Sequence, residues 1–383
     1  MQELRIPDQE FKERIEKIKA RLDEKGLDAI LLLGDEHRYG HVRYVSDYRP
    51  ILEYAVAIVP LEGEPILLAG PECGDYAYMT SKIEDIRICC DLAIPGEEYP
   101  TIKMVSLADV IKELDSKKRL NRLGVADLDL QPAFLVDTIR RTLAGRELID
   151  ATQIMNELRA IKSPNEIAIM RKVFEIGSIG LKVGIEKAKV GMGETDLAAE
   201  MACAMWREGA EQMSHCFMVA SGKRTGPALS FPTDKKAIED GDLVILDIGA
   251  VYEGYFSDNA RTIIVGKETK ERAHALKVAE EAKNAAIAKI RAGAQASEVD
   301  RAAREIVEEA GFGKNCIYGV LHGVGLQHCE YPYAGPKSDL ILQEGMVFCV
   351  DVGLFNLPFG GIRMEDGLVV TRDGAEVLTK VGA

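Results

Sequence analysis

Two stretches, GDLVILDIGAVYEGYFSDNARTIIV (241–265) and EGMVFCVDVGLFNLPFGGIRMEDGLVV (344–370), decide the fold. Each opens with an apolar run holding one Asp, and a Gly follows two residues later. Each then returns along a second run that carries another acid beside an Arg: Asp258 with Arg261, and Glu365 with Arg363. Apolar runs of this length bounded by Gly read as buried β-strands, and each pair reads as a hairpin. Asp247 pairs with Asp351 at an offset of 104, and Asp258 with Glu365 at 107. Upstream, KVGMGETDLAAEMACAMWREGAE (189–211) matches IRAGAQASEVDRAAREIVEEAGF (290–312). Gly191 and Gly293, Thr195 and Ser297, Leu197 and Val299, and Gly209 and Gly311 are each 102 residues apart. Such a repeat implies two helix, helix, hairpin units facing each other about a pseudo-twofold axis.

Working outward, Ser163, Pro164 and Glu166 form a helix start: an N-cap, a Pro in the first turn and a capping-box acid. The helix should run towards Lys189. Before it, a helical stretch (Phe11 to Gly26) is followed by AILLLG (29–34), AVAIVPL (55–61), PILLAG (65–70), IRICCDL (86–92) and RLGVADL (122–128), with a helix around Ser106 to Leu114. Alternating short strands and helices predict a separate α/β domain. The expected organisation is therefore α/β (α+β), with domains at 1–155 and 156–383.

The 383 residues carry 48 Lys+Arg against 62 Asp+Glu, a formal charge of −14, without a basic block that could grip phosphates. Nucleic acid and anionic membrane surfaces are poor partners for such a chain. It lacks an apolar run of about 18 residues, and its first 20 residues are rich in charge, so a cytoplasmic protein is expected. Eight cysteines without a C-x-x-C pair read mostly as reduced core residues. Trp206 reads as core on its helix.

A carboxylate inside an apolar strand must be paired, protonated or bound to metal. Four acids converging from two hairpins repel one another, and cations hold them together. HGVGLQHCEYP (322–332) adds His322 in a Gly-rich turn. Four carboxylates and one imidazole are a mainly hard ligand set, suited to two divalent ions among Mn, Co, Fe and Zn. Such a pair would supply a metal-activated water. Taken singly, these motifs commonly mark turns or surface ion pairs; their order and duplication carry the argument.

The chain resembles the creatinase, prolidase and aminopeptidase P family of pita-bread metallohydrolases over nearly its whole length. LRAIKSPNEIAIMRKV (158–173) is similar to the family's opening helix, SGKRTGP (221–227) to its substrate-side loop, and DIGAVYEGYFSDNART, HGVGL and RMED to its ligand motifs. The resemblance implies a C-terminal pita-bread fold and a smaller N-terminal creatinase-like α/β domain. It implies Asp247, Asp258, His322, Asp351 and Glu365 as ligands, Asp258 and Glu365 bridging, and a homodimer. The activity it implies is that of a metal-dependent hydrolase of Xaa-Pro dipeptidase or aminopeptidase type, cleaving a C–N bond, with a dipeptide or small-molecule substrate. Asp351 or Glu365 would carry the proton, and Arg261 and Arg363 would orient the bridging carboxylates.

Three positions depart from the peptidase pattern. Asp351 stands where Glu precedes Pro-Gly, Leu229 or Ser230 where a His is expected, and Cys329 at a second His position, with His328 displaced by one. A one-residue shift on a strand turns a side chain away. Cys329 is then a filler or a weak nucleophile, and His215 a replacement proton carrier. These departures resemble family members that act on small zwitterions: creatine amidinohydrolases, ectoine hydrolases and dimethylsulfoniopropionate lyases. A non-catalytic binding protein is the third reading. The segment DEHRYGHVRYVSDYR (35–49), dense in Arg, Tyr and His, suits a loop reaching an anionic substrate.

Overall fold

The computed structural model describes residues 4–214 and 217–381, which divide into two compact units, one of Ile6–Arg159 and one of the residues from Ala160 onward with those before Ile6. In the first unit the chain runs through α1 (Asp8–Lys25), β1 (Ala29–Gly34), α2 (Gly40–Ser46), β2 (Ala55–Pro60), β3 (Ile66–Ala69), α3 (Gly74–Thr80) and β4 (Asp85–Ile88). It continues with α4 (Leu107–Lys117), β5 (Arg122–Ala126), α5 (Ala133–Thr142), β6 (Glu147–Asp150) and α6 (Thr152–Ala160). The six strands form one mixed sheet in the order β4-β3-β2-β1-β5-β6, with β1 and β2 buried throughout. Segment 35–49 is not a loop: α2 occupies its centre, and Tyr39, His41, Tyr44 and Tyr48 are buried. His41 is held between Asp127 Oδ2 at 3.1 Å and Arg159 Nη1 at 2.9 Å.

The second unit contains α7 (Pro164–Lys187), α8 (Glu194–Arg207), β7 (Gln212–Met213), β8 (Met218–Ser221), β9 (Asp242–Ile248), β10 (Ala250–Tyr252), β11 (Tyr255–Phe256) and β12 (Asn259–Val265). After these come α9 (Lys270–Lys289), α10 (Ala296–Glu309), β13 (Leu321–Gly323), β14 (Glu330–Ala334), β15 (Val347–Leu357), β16 (Gly360–Val370) and β17 (Ala375–Val377). Ser163 caps α7 by accepting from the Glu166 N–H, and Glu166 closes the capping box. Trp206 is 52% exposed. The buried face of α8 runs through Leu197, Met201 and Met205, and Trp206 is turned about 100° from Met205.

The repeat is written in the backbone. Gly191 and Gly293, at φ +87° and +84°, each donate a 2.8 Å bond, to Ile238 O and Leu342 O. Left-handed φ favours Gly at both places. The bridge Gly193 to Ala237 recurs as Gln295 to Ile341, and the bond from Gly241 N to Val265 O recurs from Gly345 N to Val370 O. Hairpins β9–β12 and β15–β16 meet edge to edge at Ala260 and Glu365, within a sheet ordered β14-β13-β15-β16-β12-β9-β8, with β17 on β16.

Helices α7 and α9 pack against this sheet. Side chains alternate across a strand, so the residues that meet the helices are the neighbours of the acids. Leu246 and Ile248 approach α7 at Gly184 and Gly180, while Asp247 points to the other face. On the helix side, Asp366 accepts from Arg261 Nη2 at 2.7 Å and pairs with Lys283 of α9. All three are at most 7% exposed. Asp366→Ala strands two buried cations and should lower unfolding stability by about 3–5 kcal/mol, read as a shift in the urea midpoint. A change within about 0.5 kcal/mol would mean that the cluster is hydrated.

Candidate metal centre

Register builds the site. Asp247 on β9 lies opposite Ala260 on β12, Ala260 opposite Glu365 on β16, and Glu365 opposite Asp351 on β15. Three acids therefore stand in one row across four strands. Asp258, just before β12, opens onto the same pocket as these three. His322 sits on the short strand β13, opposite Cys349, rather than in a turn. Its Nε2 lies 3.2 Å from Glu365 Oε1 and 3.8 Å from Asp258 Oδ2.

The five residues expected as ligands thus converge on one pocket of about 580 Å³, whose walls include Leu229, Tyr318, His328, Cys329, Tyr333 and Arg363. Arg363, two residues before Glu365 and on the same face, hydrogen-bonds Asp247 and places Nε 3.5 Å from Asp351 Oδ1. The neighbouring rings of Phe355 and Tyr318, 5.8 Å apart, lie 5.3 and 5.9 Å from its guanidinium.

Other expectations change. Arg261 does not touch the acidic side chains of the centre: strand alternation puts it on the helix face, where it reaches Glu365 through the backbone oxygen at 2.8 Å. His328 is not turned away; its Nε2 lies 3.1 Å from Asp258 Oδ2. Residues 324–329 lie between β13 and β14, outside the strand whose period-two rule would have reversed it. Cys329 is exposed at the pocket wall, grouped with Asp258 and His328. His215 lies outside the described residues. Leu229, 66% exposed, occupies the pocket lip where a peptidase His is expected. Sequence reasoning missed Cys349, a buried thiol two residues before Asp351, although the same period-two rule could have found it.

The electrostatics suit a cation. Burial pushes the Asp258 carboxyl well above its usual range, and Glu365 and Asp247 push further. Asp247 is raised by burial against the pull of Arg363. Burial and Asp351 push Glu365 up to about 7. Burial opposes charge on His322, yet hydrogen bonds to Cys329 and Glu365 hold its pKa well above the ordinary value. Asp258 Oδ1 and Asp351 Oδ1 are buried without a hydrogen-bond partner. Oxygen atoms stripped of water and pressed together are what a divalent cation would satisfy.

With fold and site in view, comparisons with known proteins agree. Residues 168–372 match metallopeptidase family M24, and residues 14–161 match the creatinase/prolidase N-terminal domain. The first match spans more than half of the sequence: the chain belongs to metallopeptidase family M24, and with that membership goes metal-dependent hydrolysis. It is 29% identical over 370 residues to an Xaa-Pro dipeptidase of Pyrococcus furiosus, covering 97% of this chain and 98% of the relative. The crystal structure of the prolidase from Pyrococcus horikoshii OT3 superposes with a TM-score of 0.84 at 28% identity, covering 97% and 99% of the two chains. An X-Pro aminopeptidase from Thermotoga maritima also gives 0.84, at 25% identity over 96% and 98%. The unit bearing the centre is thus a pita-bread fold, joined to a creatinase-like N-terminal domain.

The raised carboxyls make a pH prediction for metal-free protein. Glu365 holds a proton that the unfolded chain releases near 4.5, so its stabilising contribution is full below that pH and lost as pH rises to about 7. Asp258 and Asp247, raised likewise, act in the same direction. His322 contributes fully below about 6.5 and is lost as pH rises through its higher folded value. The urea midpoint of chelator-treated protein should fall between pH 5 and 8, and added divalent cation should flatten the slope. A midpoint rising over that range would contradict the buried, unneutralised cluster.

Proposed function

We propose that this chain hydrolyses the peptide bond before proline in Xaa-Pro dipeptides, with Asp247, Asp258, His322, Asp351 and Glu365 holding a pair of divalent cations. The observation that carries the reading is the row of acids across β9, β16 and β15, joined by Asp258 and His322 at one pocket. Family membership and Xaa-Pro dipeptidase relatives that match nearly end to end support it. When bound, such cations would lower the pKa of a water and polarise the scissile carbonyl.

The chain's own residues do the rest. Asp351, facing Glu365 and with Oδ1 free of hydrogen bonds, is placed to move a proton to the leaving nitrogen. Glu365 and Asp258 hold the centre between the two hairpins. Arg363 fixes Asp247 and faces Asp351, so both carboxylates are oriented before substrate arrives. Leu229 and Tyr333, both largely exposed at the mouth, offer apolar contact to a prolyl ring. The same reading extends to a metal choice among Mn, Co, Fe and Zn, to division of the chain at 155/156 into a creatinase-like N-terminal domain and a pita-bread catalytic domain, and to a homodimer in the cytoplasm, its assembly checked by sedimentation.

A substrate panel of Ala-Pro, Gly-Pro, creatine and ectoine with Mn or Co added should give turnover of the dipeptides. Turnover of creatine or ectoine with the dipeptides untouched would overturn this reading in favour of small-zwitterion chemistry. Asp258→Asn and His322→Ala should each lower kcat/KM by more than about a hundredfold, beyond the loss usual for a residue that only supports a ligand, and should lose bound metal. Retained turnover in a metal-free variant would sink the mechanism.

A further inference from the structure

We propose that Cys349 is a sulphur ligand of the metal centre, sharing one cation with His322, Asp258 and Glu365. This rests on the metal-centre reading above and changes its chemistry. One ligand atom from each of Asp258, His322, Cys349 and Glu365 lies within 4.8 Å of all the others, a spacing that one ion can bridge. The strand register produces this grouping. Cys349 lies directly opposite His322 on the neighbouring strand and, two residues before Asp351, faces the same side of the sheet.

The thiol is fully buried, and its Sγ approaches the Asp258 carbonyl oxygen at 3.7 Å, a weak bond for so enclosed a group. Asp258, 3% exposed, leaves Oδ1 without a hydrogen-bond partner. Asp351 does not belong to the four-atom group; its nearest charged partner is Arg363 Nε at 3.5 Å. Asp is one methylene shorter than the Glu of the peptidase pattern. The shorter carboxylate faces Arg363, and the thiol stands in the four-atom group that Asp351 does not join.

On coordination the thiol releases its proton to solvent and the thiolate sulphur bonds the cation. One nitrogen, one sulphur and two oxygen donors form a softer set than the mainly hard one expected from sequence, favouring zinc or cobalt over manganese. Cys329, grouped with Asp258 and His328, is a second thiol at the pocket, and the experiment distinguishes the two.

The full chain is loaded with Co(II) and its absorption spectrum recorded. A thiolate-to-cobalt charge-transfer band in the near ultraviolet is expected in the native protein and in Cys329→Ser. Cys349→Ser should lose that band while keeping the visible cobalt bands, and its zinc-over-manganese preference should fall by more than about tenfold. X-ray absorption of the zinc-loaded native chain needs no variant and should show a Zn–S shell at about 2.3 Å. A shell of nitrogen and oxygen alone, or a band that survives Cys349→Ser or is lost only in Cys329→Ser, overturns the proposal. Absence of hydrolysis with the sulphur shell present would overturn the peptidase reading and leave this one standing. Failure to bind cobalt or zinc at all would overturn both.

Discussion

Mutual repulsion among buried carboxylates is the constraint on which this protein is organised. Asp247, Asp258, Asp351 and Glu365 are at most 8% exposed, and Asp247, Asp351 and Glu365 each raise the cost of ionising another of them. The described chain sets one permanently charged partner among them, Arg363, which lies over two aromatic rings. One guanidinium cannot offset four carboxylates. The architecture instead holds the acids in place by main-chain hydrogen bonds, so that their positions do not depend on their charge. Two hairpins and their flanking strands do this because ladder geometry fixes where each Cβ points.

The sheet is therefore two-sided in chemistry. One face collects four acids and His322 beneath a pocket. The other is packed by α7 and α9 and carries its own ionic cluster, in which Asp366 receives both Arg261 and Lys283. Adjacent residues on β16, Glu365 and Asp366, belong to these opposite worlds. The first is set among other acids at the pocket, and the second is matched to cations built into the fold. A single strand thus links the stability of the unit to the geometry of its centre.

Much of this was legible in the sequence because it depends on spacing. The 102-residue repeat, the Ser163 cap and the acids at offsets of 104 and 107 are counts along the chain, and the hydrogen bonds of Gly191 and Gly293 obey them. What spacing could not supply was the place where regular structure stops. His328 faces Asp258 because the chain has left the ladder. His41 is buried because 40–46 is a helix, and Trp206 is exposed because it lies one step past the buried stripe of α8. Arg261 and Cys349 were within reach of the alternation rule. Their pattern was overlooked because an Arg beside an acid reads as its partner, and a Cys in an apolar strand reads as packing.

The row from Asp247 through Ala260 and Glu365 to Asp351 also limits how such a centre can change over generations. Each member sits inside a paired strand, where adding or deleting one residue would send every later side chain to the opposite face. Length variation is thereby confined to the connecting loops, whereas the strands themselves can drift only by exchange of one side chain for another. A shorter acid at 351 is a difference of that permitted kind: the lattice of positions stays put while the atoms presented at them are retuned.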